Sequence, residues 1–352
     1  MVFYFKSKRK MKKKNVLIFG SGSIGTHHAN AAISLKNNVY ITDKKKSQLI
    51  NMVNNIYPSR YGSWNKNISC IDYKNVFELK NFFDLIIIGV PPKFHLSVLK
   101  TCIKNLRFKK VLIEKPLCVY NQNYRFLKKK NIAKKIYCGF NHSVSQSFNS
   151  FLKKFKSLPK KNITINITWK ESFDLVLKAH PWLRSLGESY LSNVKIGGGV
   201  AHEYSHALHI FLILKMMLFK NENPKFLKKI SYKKIKTNIY DNNLYLSFRK
   251  NKKTLNLYLN GTNNPPIKKI EVLIGNKKKL TWVRKLDKNL EIVEKKHKKY
   301  KKENIKISRR GDFIQELKLL LFKNKDKSIE FLRLDYSIMV MTLLKSIFRK
   351  NV

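Results

Sequence analysis

Short, continuously apolar runs alternate with segments of helical spacing over the first 140 residues. The runs at 15–19 and 39–42 are predicted strands, and 24–35 between them has the apolar spacing of a helix. Further apolar strands are predicted at 84–90, 110–113 and 136–140. Strands that are apolar on both faces and separated by helices indicate a parallel sheet covered on both sides. Residues 1–140 are therefore predicted to form a doubly wound α/β domain of the Rossmann type, with a basic extension at 1–14.

Alternation with period two replaces this pattern after residue 141. The run 163–169 alternates as a half-exposed strand should, and turn signals lie at 263–266 and 275–276. Four more segments alternate in part, at 230–239, 244–248, 255–259 and 270–274. Helices are predicted at 313–321 and 334–348. Residues 141–352 are therefore predicted to form an α+β domain for substrate binding and oligomerisation, built on an open, mainly antiparallel sheet.

The charge of the chain is extreme, with 74 Lys plus Arg against 21 Asp plus Glu and a formal net charge of +53 over 352 residues. Eleven of the 74 are Arg, which leaves 63 Lys. Proteins that bind nucleic acids use mainly Arg to read base edges and to contact phosphate groups with two hydrogen bonds. An abundance of Lys, Asn, Ile and Phe instead fits A/T-rich codons, so no specific nucleic-acid partner is expected. The Lys runs are predicted to be solvated surface in helices and turns.

The spacing of the cysteines and the lengths of the apolar runs indicate the cellular compartment of the protein. Four cysteines are scattered without a C-x-x-C pair, which excludes an evident disulfide framework or zinc knuckle. The longest apolar runs are too short to span a bilayer, and no signal peptide is apparent. Met11 is a second candidate start. A cytoplasmic protein without a membrane partner is expected.

A glycine motif follows the first predicted strand. Residues 20–25 read G-S-G-S-I-G, open a helix and are followed by Asp43 at the end of the second strand. This context is the one that the dinucleotide fingerprint requires. The glycines allow a tight turn and close approach to a pyrophosphate, and the helix N-terminus offers free N–H groups. The predicted contacts to the cofactor are Gly20, Gly22, Ser23, Ile24, Gly25 and Asp43.

Asp43 also bears on the choice of nucleotide. Its carboxylate would accept hydrogen bonds from ribose hydroxyls and repel a 2′-phosphate, which favours NAD, although the adjacent Lys44–Lys46 leave NADP open. Ligands of such sheets bind at the carboxyl ends of strands, where Pro91 and the run Glu114-Lys115-Pro116 lie. Lys115 is therefore predicted to point into the cleft and exchange a proton with a substrate hydroxyl.

Four segments in this order resemble the Gfo/Idh/MocA oxidoreductases: 20–29 (GSGSIGTHHA), 89–99 (GVPPKFHLSVL), 113–117 (IEKPL) and 197–209 (GGGVAHEYSHALH). The resemblance implies an N-terminal Rossmann domain, an open C-terminal sheet, and NAD(P) chemistry on sugars or related polyols. It also implies a homo-oligomer formed through the C-terminal sheet. Lys115 matches the family's catalytic or substrate-anchoring lysine.

The resemblance also implies roles for residues other than Lys115. Glu203 and His206 match the later acid and histidine, and both are expected to be catalytic, with His206 also touching substrate. His95 and Asn141 match positions that border the nicotinamide and the substrate, while Glu114 and Pro91 belong to the cofactor side. Arg184 and Tyr190 are expected to hold an anionic group of the substrate, because Arg suits carboxylates and phosphates.

Residues 181–209 are similar to one branch of the family, encoded with surface-polysaccharide and nonulosonic-acid enzymes. That branch usually has Asp at 203, Glu at 207 and Asp at 209, whereas this chain has Glu203, Ala207 and His209. An extra methylene at 203 displaces the carboxylate, so a catalytically altered NAD-binding protein is an alternative. The expected activity is hydride transfer at a carbinol or keto carbon of an activated or acidic sugar.

Residues 202–206 also read H-E-Y-S-H, the H-E-x-x-H pattern of zinc hydrolases. On one helix His202 and His206 would share a face, with Glu203 as general base and His209 as a possible third ligand. Three glycines directly before His202 leave little helix ahead of it. The upstream dinucleotide motif explains more of the chain, so no metal ligand is predicted and the hydrolase is the remote alternative.

Overall fold

A computed structural model describes residues 12–178, 185–220, 222–297, 299–323 and 326–349. Its first sheet has six parallel strands in the order β3-β2-β1-β4-β5-β6. The strands are β1 (Asn15–Phe19), β2 (Asn38–Thr42), β3 (Ile68–Cys70), β4 (Phe82–Ile88), β5 (Arg107–Glu114) and β6 (Ile136–Gly139). The central strands are apolar on both faces, since Leu17, Ile18, Ile86 and Ile87 are all fully buried. The predicted doubly wound parallel sheet is confirmed.

Helices connect these strands and cover the sheet. They are α1 (Ser23–Ser34), α2 (Lys46–Asn51), α3 (Pro58–Tyr61), α4 (His95–Asn105) and α5 (Lys130–Ala133). The strand order reverses beside β1, because β2 lies on one side of it and β4 on the other. Ligands of doubly wound sheets bind at this switch point, outside the carboxyl ends of the strands.

The second sheet has eight strands in the order β14-β13-β12-β11-β7-β10-β9-β8. They are β7 (Ile163–Lys170), β8 (Lys225–Ile235), β9 (Asn238–Lys250), β10 (Lys253–Asn260), β11 (Ile267–Ile274), β12 (Lys277–Lys285), β13 (Leu290–His297) and β14 (Lys299–Lys306). Neighbouring strands are antiparallel except for β7 and β10, which pair in parallel. The expectation of an open, mainly antiparallel sheet is confirmed.

Six helices accompany this sheet within the described residues: α6 (Gln146–Lys156), α7 (Phe173–Lys178), α8 (Gly199–Glu203), α9 (Ser205–Phe219), α10 (Arg309–Leu321) and α11 (Leu334–Phe348). Helix α9 is apolar on nearly all sides because it is buried between the sheet and α11. None of the helices in these segments is both long enough and apolar enough to cross a bilayer.

The C-terminal helices return to the first domain. The Arg310 guanidinium at the start of α10 donates to Ser34 Oγ over 2.8 Å, and Phe313 stacks on His27 with ring centroids 5.1 Å apart. Farther along α10, Lys110 Nζ of β5 donates to the Leu320 carbonyl oxygen. The last strand of the first sheet ends at Gly139, one residue before the predicted boundary, and the division into two domains stays a prediction.

One prediction about the second half of the chain was wrong. The Lys runs at 277–279 and 295–302 lie mainly in strands β12–β14 and not in helices or turns. In β12 the alternate residues Leu280 and Trp282 are fully buried, so only one face of the strand carries Lys to solvent. The segment 230–239, in which only parts were expected to alternate, spans the end of β8 and the start of β9, with the turn between them at residues 236–237.

Candidate functional site

The glycine loop after β1 is shaped by close backbone contacts. Gly20 has φ +103°, and a Cβ there would lie 2.8 Å from the Gly89 carbonyl oxygen. A Cβ on Gly25 would lie 1.8 Å from the Gly20 carbonyl oxygen, so α1 could not approach β1 with any side chain there. A Cβ on Gly22 would meet no atom within 4 Å. The first and third glycines are thus needed for packing, and the second leaves an open surface.

Helix α1 begins at this open surface without a side-chain cap. Gly22 is the N-cap residue and has no side chain to accept from the first N–H groups, and the first turn has no acidic residue. The free N–H groups around Ser23 and Ile24 and the positive end of the helix dipole therefore face Gly22 without an anion to balance them. These residues fit the pyrophosphate of a dinucleotide.

Asp43 holds the glycine loop from the end of β2. Its Oδ2 accepts hydrogen bonds from the Ser21 N–H over 2.9 Å and from Ser21 Oγ over 3.0 Å, and its Oδ1 accepts from the Lys45 N–H over 3.0 Å. A carboxylate has about four acceptor positions, so one is left for a ligand hydroxyl. Asp43 is half-buried at the position where the fingerprint places the ribose acceptor.

His95 joins the two loops at the carboxyl ends of β4 and β5. Its ring is fully buried; Nε2 lies 2.7 Å from the Val90 carbonyl oxygen and Nδ1 lies 3.0 Å from the Pro116 carbonyl oxygen. Burial lowers the pKa of His95, and the contacts with these carbonyl oxygens oppose that effect. The side chain therefore positions the backbone beside the exposed Pro91.

Glu114 is turned into the protein interior at the end of β5. Only 7% of the residue is exposed, and Oε1 lies 2.6 Å from His28 Nε2 on α1. The other oxygen accepts from the Lys115 N–H over 3.2 Å. The carboxylate expected on the cofactor side is thus occupied by protein partners and fixes the backbone of the next residue.

Lys115, Glu203 and Tyr190 meet at the cleft. Lys115 Nζ donates to the Glu203 carbonyl oxygen over 2.7 Å and lies 3.6 Å from Glu203 Oε1. Tyr190 Oη donates to Glu203 Oε2 over 2.9 Å. Burial and the Glu203 carboxylate raise the pKa of Tyr190 well above its usual value, so the phenol keeps its proton. The acid at 203 therefore contacts both Lys115 and Tyr190.

The glycines at 197–199 place Glu203 by close packing. A Cβ on Gly198 would lie 2.2 Å from the Tyr190 carbonyl oxygen, and one on Gly199, which has φ +83°, would lie 1.7 Å from Asp241 Oδ1. The buried Asp241 carboxylate accepts from the Ala201 N–H over 2.8 Å at the start of α8, and burial raises its pKa to about 7. The motif thus fixes the direction of α8, which ends at Glu203.

His206 lies beside His142, with the two rings perpendicular and their centroids 4.5 Å apart. Burial lowers the pKa of His206 well below 6.5, and the charges of Lys115 and Lys268 act in the same direction. Its Nδ1 is buried and has no hydrogen-bond partner among the described residues. His206 is therefore a neutral imidazole at pH 7.

His142 belongs to the site although nothing singled it out beforehand. The Arg284 Nη1 donates to His142 Nδ1 over 2.8 Å, which places the ring proton of neutral His142 on Nε2. Arg284 is 8% exposed and also bonds to Glu291 and Asp312, over 2.8 and 2.7 Å. The rule that ligand residues follow parallel strands could have indicated His142, because it comes just after β6.

Asn141 precedes His142 and is almost fully buried, with Oδ1 lacking a hydrogen-bond partner in the described part of the chain. It lies at the carboxyl end of β6, on the same sheet edge as Lys115. Arg184, expected to bind an anionic group, lies outside the described residues.

The H-E-x-x-H segment does not form a zinc site. Helix α8 ends at Glu203 and α9 begins at Ser205, so His202 and His206 do not share one continuous helix. His202 Nδ1 lies 3.0 Å from the Gly198 carbonyl oxygen, its Nε2 accepts from the Tyr120 N–H over 3.4 Å, and its ring stacks on Phe348. Both nitrogens of His202 are therefore used within the fold.

His209 also has a packing role. Its ring stacks on Phe140 with centroids 4.1 Å apart, and burial lowers its pKa to about 3. The neutral ring fills space beneath the site, where the related branch has an acid. The contacts of His202 and His209 are therefore those of packing residues.

Comparison with known proteins supports the nucleotide site. Residues 14–136 match the family model named Gfo/Idh/MocA, described as an oxidoreductase family with an NAD-binding Rossmann fold. The match covers the glycine loop, Asp43 and Lys115. A search of curated proteins finds no significant match. The resemblance to this family and the expectation of an NAD-binding oxidoreductase domain are confirmed over these residues.

Solved structures share the fold over nearly the whole chain. A myo-inositol dehydrogenase from Corynebacterium glutamicum is 15% identical with a TM-score of 0.67, and the alignment covers 96% of each chain. A UDP-N-acetylglucosamine 3-dehydrogenase from Acidithiobacillus ferrooxidans is 10% identical with a TM-score of 0.62, covering 96% of this chain and 97% of that one.

A third structure is a mutant 3-ketoreductase from Actinomadura kijaniata, in complex with TDP-benzene and NADP. It is 11% identical with a TM-score of 0.66, covering 96% of this chain and 97% of that one. At these identities the likeness concerns the fold alone.

Proposed function

We propose that this chain, which carries the NAD-binding domain of the Gfo/Idh/MocA oxidoreductases at residues 14–136, transfers hydride between a nicotinamide and a carbinol or keto carbon of a sugar. The observation that carries the proposal is the meeting of Lys115 with Glu203 and Tyr190 at the sheet edge where the glycine loop also lies. A charged amine and a fixed carboxylate at the ligand edge of a dinucleotide domain suit the chemistry of a hydroxyl group.

NAD is the proposed cofactor, with NADP possible. The uncapped first turn of α1 and the open side of Gly22 would hold the pyrophosphate, and the free acceptor position of Asp43 would bind a ribose hydroxyl. When bound, the nicotinamide supplies the acceptor or the donor of the hydride. Every other step falls to the side chains of the cleft.

Lys115 and His206 divide the handling of the hydroxyl proton. Lys115 keeps at least one N–H free besides the bond to the Glu203 carbonyl, and this N–H would stabilise the negative charge that develops on the substrate oxygen. Neutral His206 would accept the hydroxyl proton during oxidation and return it during reduction. Glu203 and Tyr190 keep the lysine in place.

An activated or acidic sugar is the proposed substrate class, and surface-polysaccharide biosynthesis in the cytoplasm is the proposed setting. Two similar structures, named above, are of enzymes whose names refer to a nucleotide sugar or a ketone. The net charge of +53 would attract an anionic substrate at long range. Within the described cleft the cations are paired, Lys115 with Glu203 and Lys268 with Glu171, so Arg184 is the proposed anchor for an anionic group.

Titration of the full-length protein with NADH and NADPH, followed by tryptophan fluorescence, tests cofactor binding. Initial rates are then measured with nucleotide sugars, keto sugars and uronic acids in both directions. Lys115→Met is expected to lower kcat at least about 100-fold, the scale of a lost acid–base group, with an unchanged affinity for NADH. Lys128→Met, at an exposed lysine of the same domain, is the matched control. Absence of binding of either nucleotide would overturn the proposal.

The alternative is a protein that binds NAD without turning over a substrate. The replacements at 203, 207 and 209 are the observations that favour it. It predicts NADH binding, no rate with any substrate of the panel and no effect of Lys115→Met. The hydrogen bond from Tyr190 to Glu203 argues for the enzyme, because it keeps the carboxylate beside Lys115.

A further inference from the structure

Three titratable side chains meet in the interior behind the cleft: His28 of α1, Glu114 at the end of β5 and Glu316 of α10. They are 0%, 7% and 0% exposed. One nitrogen or oxygen from each lies within 4.8 Å of the others. The three elements come from the beginning, the middle and the end of the chain, so the cluster joins the first domain to the C-terminal helices.

Glu114 is the hydrogen-bonded member of this cluster. It interacts with His28 Nε2 at 2.6 Å and accepts from the Lys115 N–H at 3.2 Å. Its carboxylate lies over Gly139, where a Cβ would come within 3.0 Å of the carboxyl carbon and both oxygens. Only glycine at 139 leaves room for this arrangement, which fixes the carboxylate beneath the backbone of Lys115.

Glu316 is the unsatisfied member. Neither of its carboxylate oxygens has a hydrogen-bond partner among the described residues, and neither does His28 Nδ1. Burial raises the pKa of Glu316 well above its usual value, and the nearby Glu114 and Asp312 carboxylates add to the effect. An ionised carboxylate that is buried without a partner is strongly unfavourable. Either a nearby cation or a proton on the carboxyl group must therefore balance its negative charge.

No lysine or arginine of the described residues forms an ion pair or a hydrogen bond with Glu316. His28 faces it from α1, Glu114 from β5 and Cys138 from β6, while Asp312 lies one turn earlier on α10. Arg284 of β12, the cation bound to Asp312, is also bound to Glu291. A single proton on Glu316 removes its uncompensated charge.

We propose that Glu316 is a carboxylic acid in the folded protein at neutral pH, buried beside the His28–Glu114 pair that positions the backbone of Lys115. No bond is made or broken, and the proton stays on Glu316. The residue acts through Glu114 and does not touch substrate. The inference about the proton stands independently of the proposed enzymatic activity.

Glu316→Gln is the decisive variant, because Gln keeps the shape and a donor of the protonated acid but cannot ionise. Unfolding of full-length wild type and variant is compared from pH 5 to pH 9. Wild type is expected to lose stability relative to Glu316→Gln as pH rises from the ordinary Glu range, because the native acid binds a proton that the unfolded chain releases. Glu78→Gln, at an exposed glutamate, is expected to show no such slope.

Infrared spectroscopy provides a readout that a merely structural role would not move. The difference spectrum of wild type minus Glu316→Gln at pH 7 is expected to contain the carbonyl band of a protonated carboxyl group, since other buried acids such as Asp241 contribute to both proteins alike. Glu316→Ala leaves a cavity in this buried cluster and is expected to melt at a lower temperature than Glu316→Gln at every pH.

A bound metal is the competing explanation, since one imidazole and two carboxylates also suit a divalent cation. Elemental analysis of the purified protein distinguishes the two. Stoichiometric metal together with a large loss of melting temperature in Glu316→Gln at pH 7 would overturn the proposal, as would absence of the carboxyl band. Metal-free protein with a stable Glu316→Gln variant supports it.

Discussion

Lys115 Nζ lies 2.7 Å from the main-chain oxygen of Glu203, the residue at which helix α8 ends. A lysine from the parallel sheet thereby bonds to the last carbonyl of a helix from the other domain. The ammonium group satisfies a carbonyl at a helix C-terminus, where cations are favoured. The proposed catalytic lysine thus also fixes the position of the acid beside it.

Tyr190→Phe should weaken the site without disturbing the core. The variant removes the hydroxyl that donates to Glu203 Oε2 and leaves a carboxylate with one partner fewer. Hydrogen bonds to charged groups contribute about 1.5–3 kcal/mol, so kcat is expected to fall about tenfold or more. The rate assay measures this, and Tyr300→Phe at an exposed tyrosine provides the control. An unchanged kcat would show that Glu203 does not need the phenol.

Gly22→Ala should weaken cofactor binding, whereas Gly25→Ala should lower the stability of the fold. A methyl group at 22 enters open space, so the variant is expected to fold with an unchanged melting temperature and lose affinity for NADH. A methyl group at 25 would overlap the Gly20 carbonyl oxygen, so that variant is expected to melt at a clearly lower temperature. Thermal melts and fluorescence titration separate the two effects. Equal NADH affinity in Gly22→Ala and wild type would contradict the pyrophosphate assignment.

Asp43→Ala should reduce the preference for NADH over NADPH. The substitution removes the ribose acceptor and the charge that repels a 2′-phosphate, and it also frees the Ser21 N–H. A loss of about tenfold in NADH affinity, the scale of one charged hydrogen bond, is expected with a smaller loss for NADPH. Asp72→Asn, at an exposed aspartate, is the control for both titrations. An equal loss for both nucleotides would contradict the proposed role.

Acid should destabilise the protein through its buried histidines. Burial lowers the pKa of His202 to about 4 and of His209 to about 3, and it holds His142 and His206 well below 6.5. Between those values and 6.5 the unfolded chain binds more protons, so stability rises with pH through this window and levels off above it. Each such histidine changes the slope by up to about 1.4 kcal/mol per pH unit.

Urea unfolding at pH 5, 6 and 7 measures that slope. His209→Leu is expected to reduce it, because the ring packs on Phe140 and an apolar side chain can occupy the same space. A slope that is the same in the variant and in wild type would show that His209 is protonated in the native state.

The parallel sheet and its nucleotide loop could be predicted because their signals are local. Strands such as 15–19 are apolar on both faces, and the glycine spacing is dictated by a turn. The outer strands of the second sheet could not be recognised, since their solvent face is covered with Lys and only alternate positions such as Trp282 are buried.

The site contacts that could not be predicted from the sequence are those between distant segments of the chain. The family resemblance singled out Lys115 and Glu203 as catalytic residues without giving the contact between them, and nothing local marks Arg284 as the partner of His142. The helical spacing of α10 likewise does not reveal that Glu316 faces His28 and Glu114. These relationships arise only when the C-terminal helices pack on the first domain.

The parallel pair of β7 and β10 has a consequence for how the chain folds. Strand β7 comes early in the second half of the sequence, whereas its two neighbours in the sheet, β10 and β11, come about 90 residues or more later. Residues 163–170 can therefore pair in the middle of the sheet only after residues 253–260 and 267–274 have been brought next to them. Closing such long loops is slow, so this step is expected to limit the folding rate. A nascent chain that ends before residue 253 would expose an unpaired apolar strand and depend on chaperones until synthesis is complete.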